Sequence, residues 1–517
     1  MKKIKTSCIA FALAAAQTVM AGGLLTNTNQ NVSFLRNPAR DAAIGIDGVY
    51  SNPAGVAFLG DGFHLSLNIQ NAHQTRTVSS WFELYKLNMS NNNSDFKKFE
   101  GEADAPIIPS IQAAYNKGNW SYQFGFAVTG GGGKCTFDQG IPTFESSIAQ
   151  IAAALNAFGS TGYDMDAFLE GRQYYYGFTA GAAYKFNENL SVYGGLRLLY
   201  GNASYKAVVN NIKVNTANGA VPFNQFLDAS TQTVVGGLAK IEESLPLVEG
   251  GIQQVQQGIA QYQAAGVPVP DALTKQLSEL QATQQQLLAT KETLTKAEGS
   301  LNALEPYREG VNLMCDQTAW GIAPIIGIDY KTGKFNFAAK YEFKTRMRMK
   351  NKSTVKEASL IAAVNKFKDG EKVDEDSPAL LTVGAQYEIL PSLRVMAGWH
   401  HYFDVDTKQY TKDMLGDSNE YLFGAEYDIC KKLQVSAGMQ RTAYDFKDAG
   451  MNDISFNVSS YSYGLGIGYN VTDKVKINAA WFQTLYDDYD KAPDAMGVKN
   501  SFTRSNRVIG VGVDLKF

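Results

Sequence analysis

Apolar residues alternate with small or polar residues in many segments of about ten residues between Gly62 and Phe517. The segment Trp120–Val128 shows this most clearly: Trp, Tyr, Phe, Phe and Val take one set of alternate positions, and Ser, Gln, Gly and Ala take the other. Successive side chains of a strand point to opposite faces, so each segment predicts a strand with one apolar face. Many such strands, with aromatic residues on the apolar face, are typical of a barrel whose outside meets lipid.

The breaks between the segments define about 14 strands, an even number, as in bacterial single-chain barrels. The predicted strands are Gly62–His73, Ile107–Asn116, Trp120–Gly130, Tyr174–Phe186, Leu190–Tyr205, Thr318–Tyr330, Lys334–Arg348, Ala379–Ile389, Leu393–Phe403, Glu420–Ile429, Leu433–Arg441, Ser459–Tyr469, Val475–Tyr486 and Thr503–Phe517. Tight turns such as Lys117–Asn119 alternate with long connections such as 131–173. Short turns at one rim and long loops at the other are typical of outer-membrane barrels, with the turns periplasmic. The sequence therefore predicts an all-β fold, an antiparallel transmembrane β-barrel of about 14 strands over 62–517.

One connection, 206–317, is too long to be a plain loop. Apolar residues keep helical spacing in two stretches of it, which Gly266–Asp271 separates, and Asp271 is a suitable N-cap. In the second stretch leucines recur every seven residues, at Leu280, Leu287, Leu294 and Leu301. We predict a helical hairpin within 250–305, in the third extracellular loop. It is either a binding or gating cap over the barrel mouth or a structural pair of helices that buries its own leucines.

The residues ahead of the predicted barrel divide into two parts. A signal peptide over 1–21 is predicted from Lys2, Lys3, Lys5, the apolar stretch Cys8–Val19 and the cleavage sequence Val19–Ala21. The mature chain is then expected to begin at Gly22. The part 22–61 is too short for a domain and too apolar for a tail. We expect it to fill the barrel lumen as a plug.

Composition agrees with a barrel and argues against several other classes. The chain has 48 glycines, 27 tyrosines and 28 phenylalanines, which suits crowded lumen positions and aromatic girdles. The mean hydropathy is −0.21, and no apolar stretch reaches about 18 residues, so a helical membrane protein is disfavoured. A net charge of −3 gives no indication of nucleic-acid binding.

Candidate chemistry is sparse. Of the histidines, His64 and His400 should face the lumen and His401 the outside, and no pair has metal-ligand spacing with an acidic partner on one face. Ser66 shares the face of His64, but neighbouring polar residues are expected in a lumen. We therefore predict no enzyme, no metal site and no cofactor.

Three cysteines follow the predicted signal peptide, Cys135, Cys315 and Cys430, and an odd number excludes a full disulfide framework. Cys135 and Cys315 are both expected in extracellular loops, in an oxidising compartment. They either form a disulfide there or, as we favour, stay unpaired.

Two Asn-Pro-Ala sequences, at 37–39 and 52–54, lie ahead of the first strand, and the last strand ends at Phe517. A short N-terminal plug with Asn-Pro-Ala, about 14 strands and a terminal Phe together resemble the outer-membrane long-chain fatty-acid and aromatic-hydrocarbon transporter family, the FadL/TodX type. The resemblance covers the whole mature chain. The third extracellular loop departs from the family pattern because it is far larger, which leaves the mode of ligand capture open.

The resemblance implies a hatch that fills the lumen, to which we assign Asn52, Pro53 and Ala54. Physically, Pro53 fixes φ and removes a donor, and Asn52 can cap or turn its neighbours, which suits a compact plug without regular structure. An ordinary turn ahead of the first strand is the alternative. The resemblance also implies a ligand site near the mature N-terminus.

The resemblance further implies sideways release of the ligand through a gap, caused by an inward kink in the third strand. Here the third strand is Trp120–Gly130. Glycines permit a bend and leave lateral space. The candidate lateral opening is therefore at Gly125, Gly130 and Gly131.

A fatty-acid carboxylate in an apolar pocket needs a cation, and the candidates are Arg197, Lys344 and Arg346. The seventh predicted strand places charged residues on one face, namely Lys340, Glu342, Lys344, Arg346 and Arg348. The alternative, which we favour for any single residue, is that these cations form salt bridges in the lumen or contact lipopolysaccharide near the rim. The acidic residues available for such salt bridges are Glu388, Glu426 and Asp428.

These features predict passive uptake of hydrophobic, long-chain fatty-acid-like molecules through a plugged barrel in the cell outer membrane. The expected partners are a hydrophobic small molecule (a fatty acid, an aromatic hydrocarbon or similar), outer-membrane lipid and lipopolysaccharide, and the protein is expected to be a monomer. The alternative is a hydrophilic porin, or a surface adhesin or structural barrel that binds its partner through the helical hairpin.

Overall fold

The computed structural model of the chain describes residues 26–356, 362–454 and 456–517, and the predicted signal peptide lies outside these ranges. One antiparallel sheet closes on itself as a barrel of 14 long strands. These strands are β1 (Gly62–Trp81), β2 (Phe96–Lys117), β3 (Trp120–Phe137), β4 (Ser160–Lys185), β5 (Leu190–Thr216), β6 (Val311–Thr332), β7 (Phe335–Glu342), β8 (Leu380–Leu390), β9 (Leu393–Tyr402), β10 (Ser418–Asp428), β11 (Leu433–Ala443), β12 (Ser460–Thr472), β13 (Val475–Tyr486) and β14 (Lys499–Lys516). Closure is made by β1 and β14, which pair from His64 opposite Lys516 to Trp81 opposite Lys499. The predicted 14-stranded barrel is confirmed.

Shorter elements extend the loops and the N-terminal region. Short strands are Gly219–Pro222, Arg348–Ser353, Lys372–Asp374 and Tyr489–Asp490. The α-helices are α1 (Val32–Arg36), α2 (Pro142–Ala154), α3 (Phe223–Ala264) and α4 (Asp271–Asn302). Single 3-10 turns are Ile46–Val49, Gly55–Phe58, Glu83–Leu87, Met89–Asn91, Leu155–Phe158, Glu305–Tyr307, Ala362–Phe367 and Asp404–Asp406.

The outer surface of the wall is apolar, as the alternating pattern predicted. Phe124, Trp320 and Leu465 are among the large apolar side chains that are exposed on the outside of the barrel. Such a surface on a closed sheet is the form in which strands can cross a bilayer. None of the helices in the described part of the chain is long and apolar enough to cross a membrane.

The first six strands are longer than predicted, because they continue past the lipid-facing region. The first was predicted to end at His73 but runs to Trp81. Arg76, Thr77 and Val78 are all buried, so both faces are covered there and the alternation stops while the pairing continues. Alternation of apolar and polar residues identifies a strand only where one of its faces meets solvent or lipid. The loops are correspondingly shorter than predicted.

The seventh strand is the clearest correction. It was predicted as Lys334–Arg348, but β7 stops at Glu342. Beyond that point Phe343 N donates to Pro324 O outside the regular ladder, and the buried set becomes Thr345 and Met347. The phase of the alternation therefore changes by one residue. This segment does not keep one charged face.

The helical hairpin is present, with different bounds. The helix α3 begins at Phe223 and continues through Pro246, well ahead of the predicted start, and Leu280 and Leu294 of α4 lie against glycines of α3. The predicted N-cap is off by one residue: Pro270 is the cap and Asp271 is the first residue of α4. The base of the hairpin joins an apolar cluster with α2 that closes the extracellular end of the barrel.

Candidate functional site

Residues 26–61, called here the N-terminal segment, lie inside the barrel. The helix α1 packs against β12, β13 and β14. Glycines on the lumen face make room for the segment: a Cβ on Gly424 would meet the Asn37 side chain at 1.9 Å, one on Gly438 the Pro38 ring at 2.6 Å, and one on Gly464 the Leu35 carbonyl at 2.3 Å. The chain therefore occupies space that larger side chains would fill in another barrel.

Composition indicated glycines at crowded lumen positions in general, but individual glycines were named only on the third strand. The glycines around the N-terminal segment fall on neighbouring strands in register, Gly384 opposite Gly398 and Gly438 opposite both Gly424 and Gly464. The sequence does contain one glycine at an inward position in each of five consecutive strands. This pattern indicates space for the N-terminal segment only once the strands are placed side by side.

The assigned hatch residues contact three different strands. Asn52 Nδ2 donates to Asp329 Oδ2 of β6 at 2.6 Å. The Pro53 carbonyl accepts from Gln123 Nε2 of β3 at 2.7 Å, and the Ala54 carbonyl accepts from Ser191 Oγ of β5 at 2.7 Å. Three consecutive residues thus connect the N-terminal segment to three separate parts of the wall.

Ion pairs add to this attachment. Arg40 of the N-terminal segment is buried between Asp47, at 2.7 Å, and Glu426 of β10, also at 2.7 Å. Asp41 accepts from His400 Nε2 of β9 at 2.9 Å, and the other ring nitrogen of His400 lies 2.8 Å from Glu420. Buried charges are tolerated when they are paired in this way, and breaking one pair leaves its partner uncompensated.

The ladder between β2 and β3 is interrupted beside the N-terminal segment. Pairing runs from Lys117 to Ile111 of β2, breaks, and resumes at Asp104, which lies opposite Lys134 of β3. Two irregularities also occur in the pairing of β3 with β4, between 128 and 133. Within the described residues, segments 105–110 and 127–133 thus face each other without a regular ladder.

Glycines and the N-terminal segment hold β3 in this path. Gly131 has φ of +69°, and a Cβ there would lie 2.2 Å from the Gln173 carbonyl, so glycine is required. Asn27 N donates to the Thr129 carbonyl at 2.7 Å, and Asn27 Nδ2 donates to the Gly131 carbonyl at 2.6 Å. The N-terminal segment therefore bonds two carbonyls of β3 within the interruption.

The candidate glycines differ in their surroundings. Gly130 and Gly131 lie in the irregular part of β3. Gly125 lies in the regular part, opposite Gln112 of β2, and a Cβ on it would be 3.3 Å from the Val49 side chain. Gly125 thus faces the N-terminal segment, below the interruption.

An apolar cluster lines the lumen beside the interruption. It contains Phe34 of the N-terminal segment, Ala72 of β1, Ala105 and Ile108 of β2, and Val128 of β3, all buried. Residues on both edges of the interrupted ladder therefore contribute to one apolar surface inside the barrel.

The three predicted carboxylate-binding cations are not brought together. Arg197 is buried and pairs with Glu342, and its Nε donates to Thr179 Oγ1 at 3.0 Å. Lys344 Nζ donates to the Asp406 carbonyl at 2.6 Å near the surface, and Arg346 is exposed. The prediction that Lys344, Arg346 and Arg348 share the inward face of Lys340 is wrong, because the phase changes after Glu342.

Two of the acidic residues named for lumen salt bridges pair with a different cation. Arg394 of β9 lies 3.6 Å from Glu426 and 2.9 Å from Asp428. Cys135 and Cys315 are free thiols, and they lie on β3 and β6, not in loops as predicted. Among the described residues, no group of His, Cys, Asp and Glu is arranged to hold a metal ion.

No protein-family model and no curated protein matches the sequence. Solved structures do match. A Pseudomonas aeruginosa FadL homologue is 12% identical, with 97% of this chain and 100% of that chain covered and a TM-score of 0.56. The Pseudomonas putida toluene transporter TodX is 13% identical, with 98% and 100% covered and a TM-score of 0.50. At these identities the likeness establishes the fold, and the fold of this chain is that of the FadL/TodX type.

Proposed function

We propose that the protein takes up hydrophobic molecules passively across the outer membrane and releases them sideways into the bilayer. The observation that carries the proposal is the interrupted ladder between β2 and β3, with an apolar cluster inside it. In a bilayer an unpaired backbone group costs several kcal/mol, so such an interruption is not expected without a use.

The direction of transport follows from what closes the lumen. The N-terminal segment fills the interior and is bonded to β3, β5, β6, β9 and β10. A hydrophobic cargo that reaches the apolar cluster meets this segment below and the interruption beside it. Leaving through the wall keeps the cargo in apolar surroundings, whereas passage through the polar periplasmic end would not.

The comparison structures agree with this choice of cargo without deciding it. One of them is a toluene transporter by name and another a FadL homologue. We propose a hydrophobic small molecule, fatty-acid-like or aromatic, as the cargo of this chain, with outer-membrane lipid receiving it. Monomeric action follows, because path and cargo surface lie within one barrel.

The proposal is tested by filling the interruption. Ala105 is buried on the lumen face of β2, and a Cβ on Gly133 would lie 3.3 Å from its Cβ. Substitution Ala105→Trp places an indole between the two strands. Uptake of radiolabelled oleate and toluene is measured in a Gram-negative host that lacks its own hydrophobic-uptake channels. We expect Ala105→Trp to reduce uptake to the level of the host alone.

The matched control is Ile69→Trp, which adds the same side chain at an exposed, lipid-facing position of β1. Both variants must reach the outer membrane in the heat-modifiable, folded form. Undiminished uptake by a folded Ala105→Trp protein would contradict lateral release. Equal, background uptake by the unsubstituted protein for both cargoes would contradict the transport function itself.

A further inference from the structure

Arg76 is a buried cation, and no carboxylate among the described residues pairs with it. It points into the lumen from β1, its side chain is fully buried, and within the described residues its Nη1 and Nη2 have no hydrogen-bond partner. Its Nε donates to Gln74 Oε1 at 3.4 Å. The ionisable groups that act on it are Arg504, Cys135 and Tyr486, none of them a carboxylic acid.

A second guanidinium lies opposite. Arg504 of β14 is the cross-strand neighbour of Arg76 and is also buried. Its Nη1 donates to Asn457 Oδ1 at 2.6 Å, and its Nη2 donates to Gln74 Oε1 at 2.9 Å. Like charges directly opposite each other in a sheet are destabilising, and more so away from water.

Three other buried cations of the lumen have carboxylate partners. Arg40 has Asp47 and Glu426, and both Arg197 and Lys340 have Glu342. An unpaired buried charge costs several kcal/mol. The unpaired charge of Arg76 therefore lowers the stability of the folded protein, and an anion bound from outside the chain would remove that destabilisation.

The surroundings of the pair define the kind of anion. The Phe456 ring lies 5.4 Å from the Arg76 guanidinium. The side-chain amide nitrogen of Asn506, the next inward residue of β14, has no hydrogen-bond partner in the part of the chain that the structure describes. Four residues along β1 from Arg76 lies Ala72, which belongs to the apolar cluster beside the interrupted ladder. At the rise of a strand this is about 13 Å. Hydrogen-bond donors thus lie above an apolar surface that leads to the interruption.

We propose that Arg76, supported by Arg504, binds the carboxylate of an amphiphilic cargo whose apolar tail lies along the cluster toward the β2–β3 interruption. This inference rests on the proposed function and specifies its cargo as anionic. The free Nη1 and Nη2 of Arg76 match the two oxygens of a carboxylate, and guanidinium–carboxylate pairs are strong when bidentate.

The test compares an acid with its uncharged analogue. Dodecanoate and dodecan-1-ol are titrated calorimetrically into the full-length protein in a non-ionic detergent, with empty micelles as the blank. We expect Arg76→Met to weaken dodecanoate binding by at least about tenfold, since hydrogen bonds to charged groups contribute about 1.5–3 kcal/mol. Dodecanol binding should stay within about twofold, because the apolar cluster is unchanged. Arg76→Lys should recover part of the preference for the acid.

Controls separate binding from folding and identify the head group. Arg172→Met removes the same charge at an exposed position of β4 and should leave both affinities unchanged. Arg76→Met should unfold at a temperature no lower than the unsubstituted protein, because methionine replaces an unpaired buried charge. Dodecyl phosphate provides the second anionic head group, and binding at least about tenfold tighter than dodecanoate would overturn the carboxylate assignment in favour of a lipid phosphate.

The titrations distinguish failure of the Arg76 inference from failure of the proposed function. If the unsubstituted protein binds both ligands and Arg76→Met binds dodecanoate equally well, or weakens both ligands equally, the inference about Arg76 is wrong and the proposed function survives. If the unsubstituted protein binds neither ligand, the proposed function fails and the inference fails with it.

Discussion

Asp404 is an acidic residue whose environment favours the protonated form. It is buried in the 3-10 turn that follows β9, outside the membrane-spanning part of the strand, and its Oδ2 accepts from Ser418 N at 3.1 Å. Burial raises the pKa of the Asp404 carboxyl to about 7. The folded protein thus holds a proton that the unfolded chain releases near its ordinary pKa of 3.8.

The sign of the resulting pH dependence follows directly. The stabilisation from this group is complete below about pH 4 and is lost as the pH rises through about 7. We predict that Asp404→Asn, which keeps an acceptor for Ser418 N, unfolds at a higher temperature than the unsubstituted protein at pH 8. At pH 4 the two should be equal. The measurement is thermal unfolding in detergent by circular dichroism, and the same difference at both pH values would contradict the assignment.

The charged residues of the lumen show that residue type alone does not predict which cation is free to bind a ligand. Arg197 was a reasonable candidate for binding a carboxylate, but Glu342 of β7, which lies two strands away in the sheet, neutralises it. Arg76 was not considered, because one arginine in an alternating strand does not reveal whether an acid lies opposite. That depends on strand pairing, which places Arg504 there instead.

Among the elements, the helical hairpin is the largest addition to the barrel. Its base is anchored by Phe223, Leu227 and Val234 of α3 and by Leu301 of α4, which belong to the extracellular apolar cluster. Farther out, the helices contact each other, as where Leu280 meets Gly251. This arrangement is that of a self-packed pair, one of the two predicted alternatives.

We predict that the outer hairpin is dispensable for folding and for cargo binding. Replacing 242–291 by a short Gly-Ser linker should leave a heat-modifiable barrel with an unchanged affinity for dodecanoate. The physical reason is that the removed residues pack on each other and not on the barrel cluster. Gel mobility and calorimetry measure the two effects. Loss of binding by a folded deletion variant would show that the hairpin is a capture or gating element.

The third strand illustrates what an element-level pattern can predict. The glycines at 130–133 indicated a place where a strand could bend. The interruption itself depends on β2 as well, since pairing stops at Ile111 and resumes at Asp104. Sequence reasoning named one edge of the candidate opening and had no means to name the other.

At the scale of the whole molecule, the N-terminal segment fills the interior of the barrel. It is bonded to strands on several sides of the lumen, and residues 26–43 are almost entirely buried. A hydrophilic porin needs an open aqueous path. The filled interior favours the uptake proposal over the porin alternative.

We predict that the intact protein is nearly silent in planar bilayers and that deletion of 26–46 produces stable ionic conductance. The deletion removes α1 together with Arg40 and leaves Asn52 and its contact with Asp329 in place. The control is Asn312→Leu, a single exposed substitution on β6, which should remain silent. Large open-channel currents from the intact protein would support the porin alternative.

The sequence by itself determined the barrel, its strand number, the segment that fills the lumen and the hairpin, because alternation and turn residues are local properties of the chain. Tertiary structure decided the ends of the strands and the change in the phase of the inward–outward alternation after Glu342. It decided the lumen glycines that make room for the N-terminal segment and the two edges of the β2–β3 interruption. It also decided which cations are neutralised and which are not. Those features depend on which residues face each other across strands distant in sequence, and pairing of that kind is fixed only when the barrel closes.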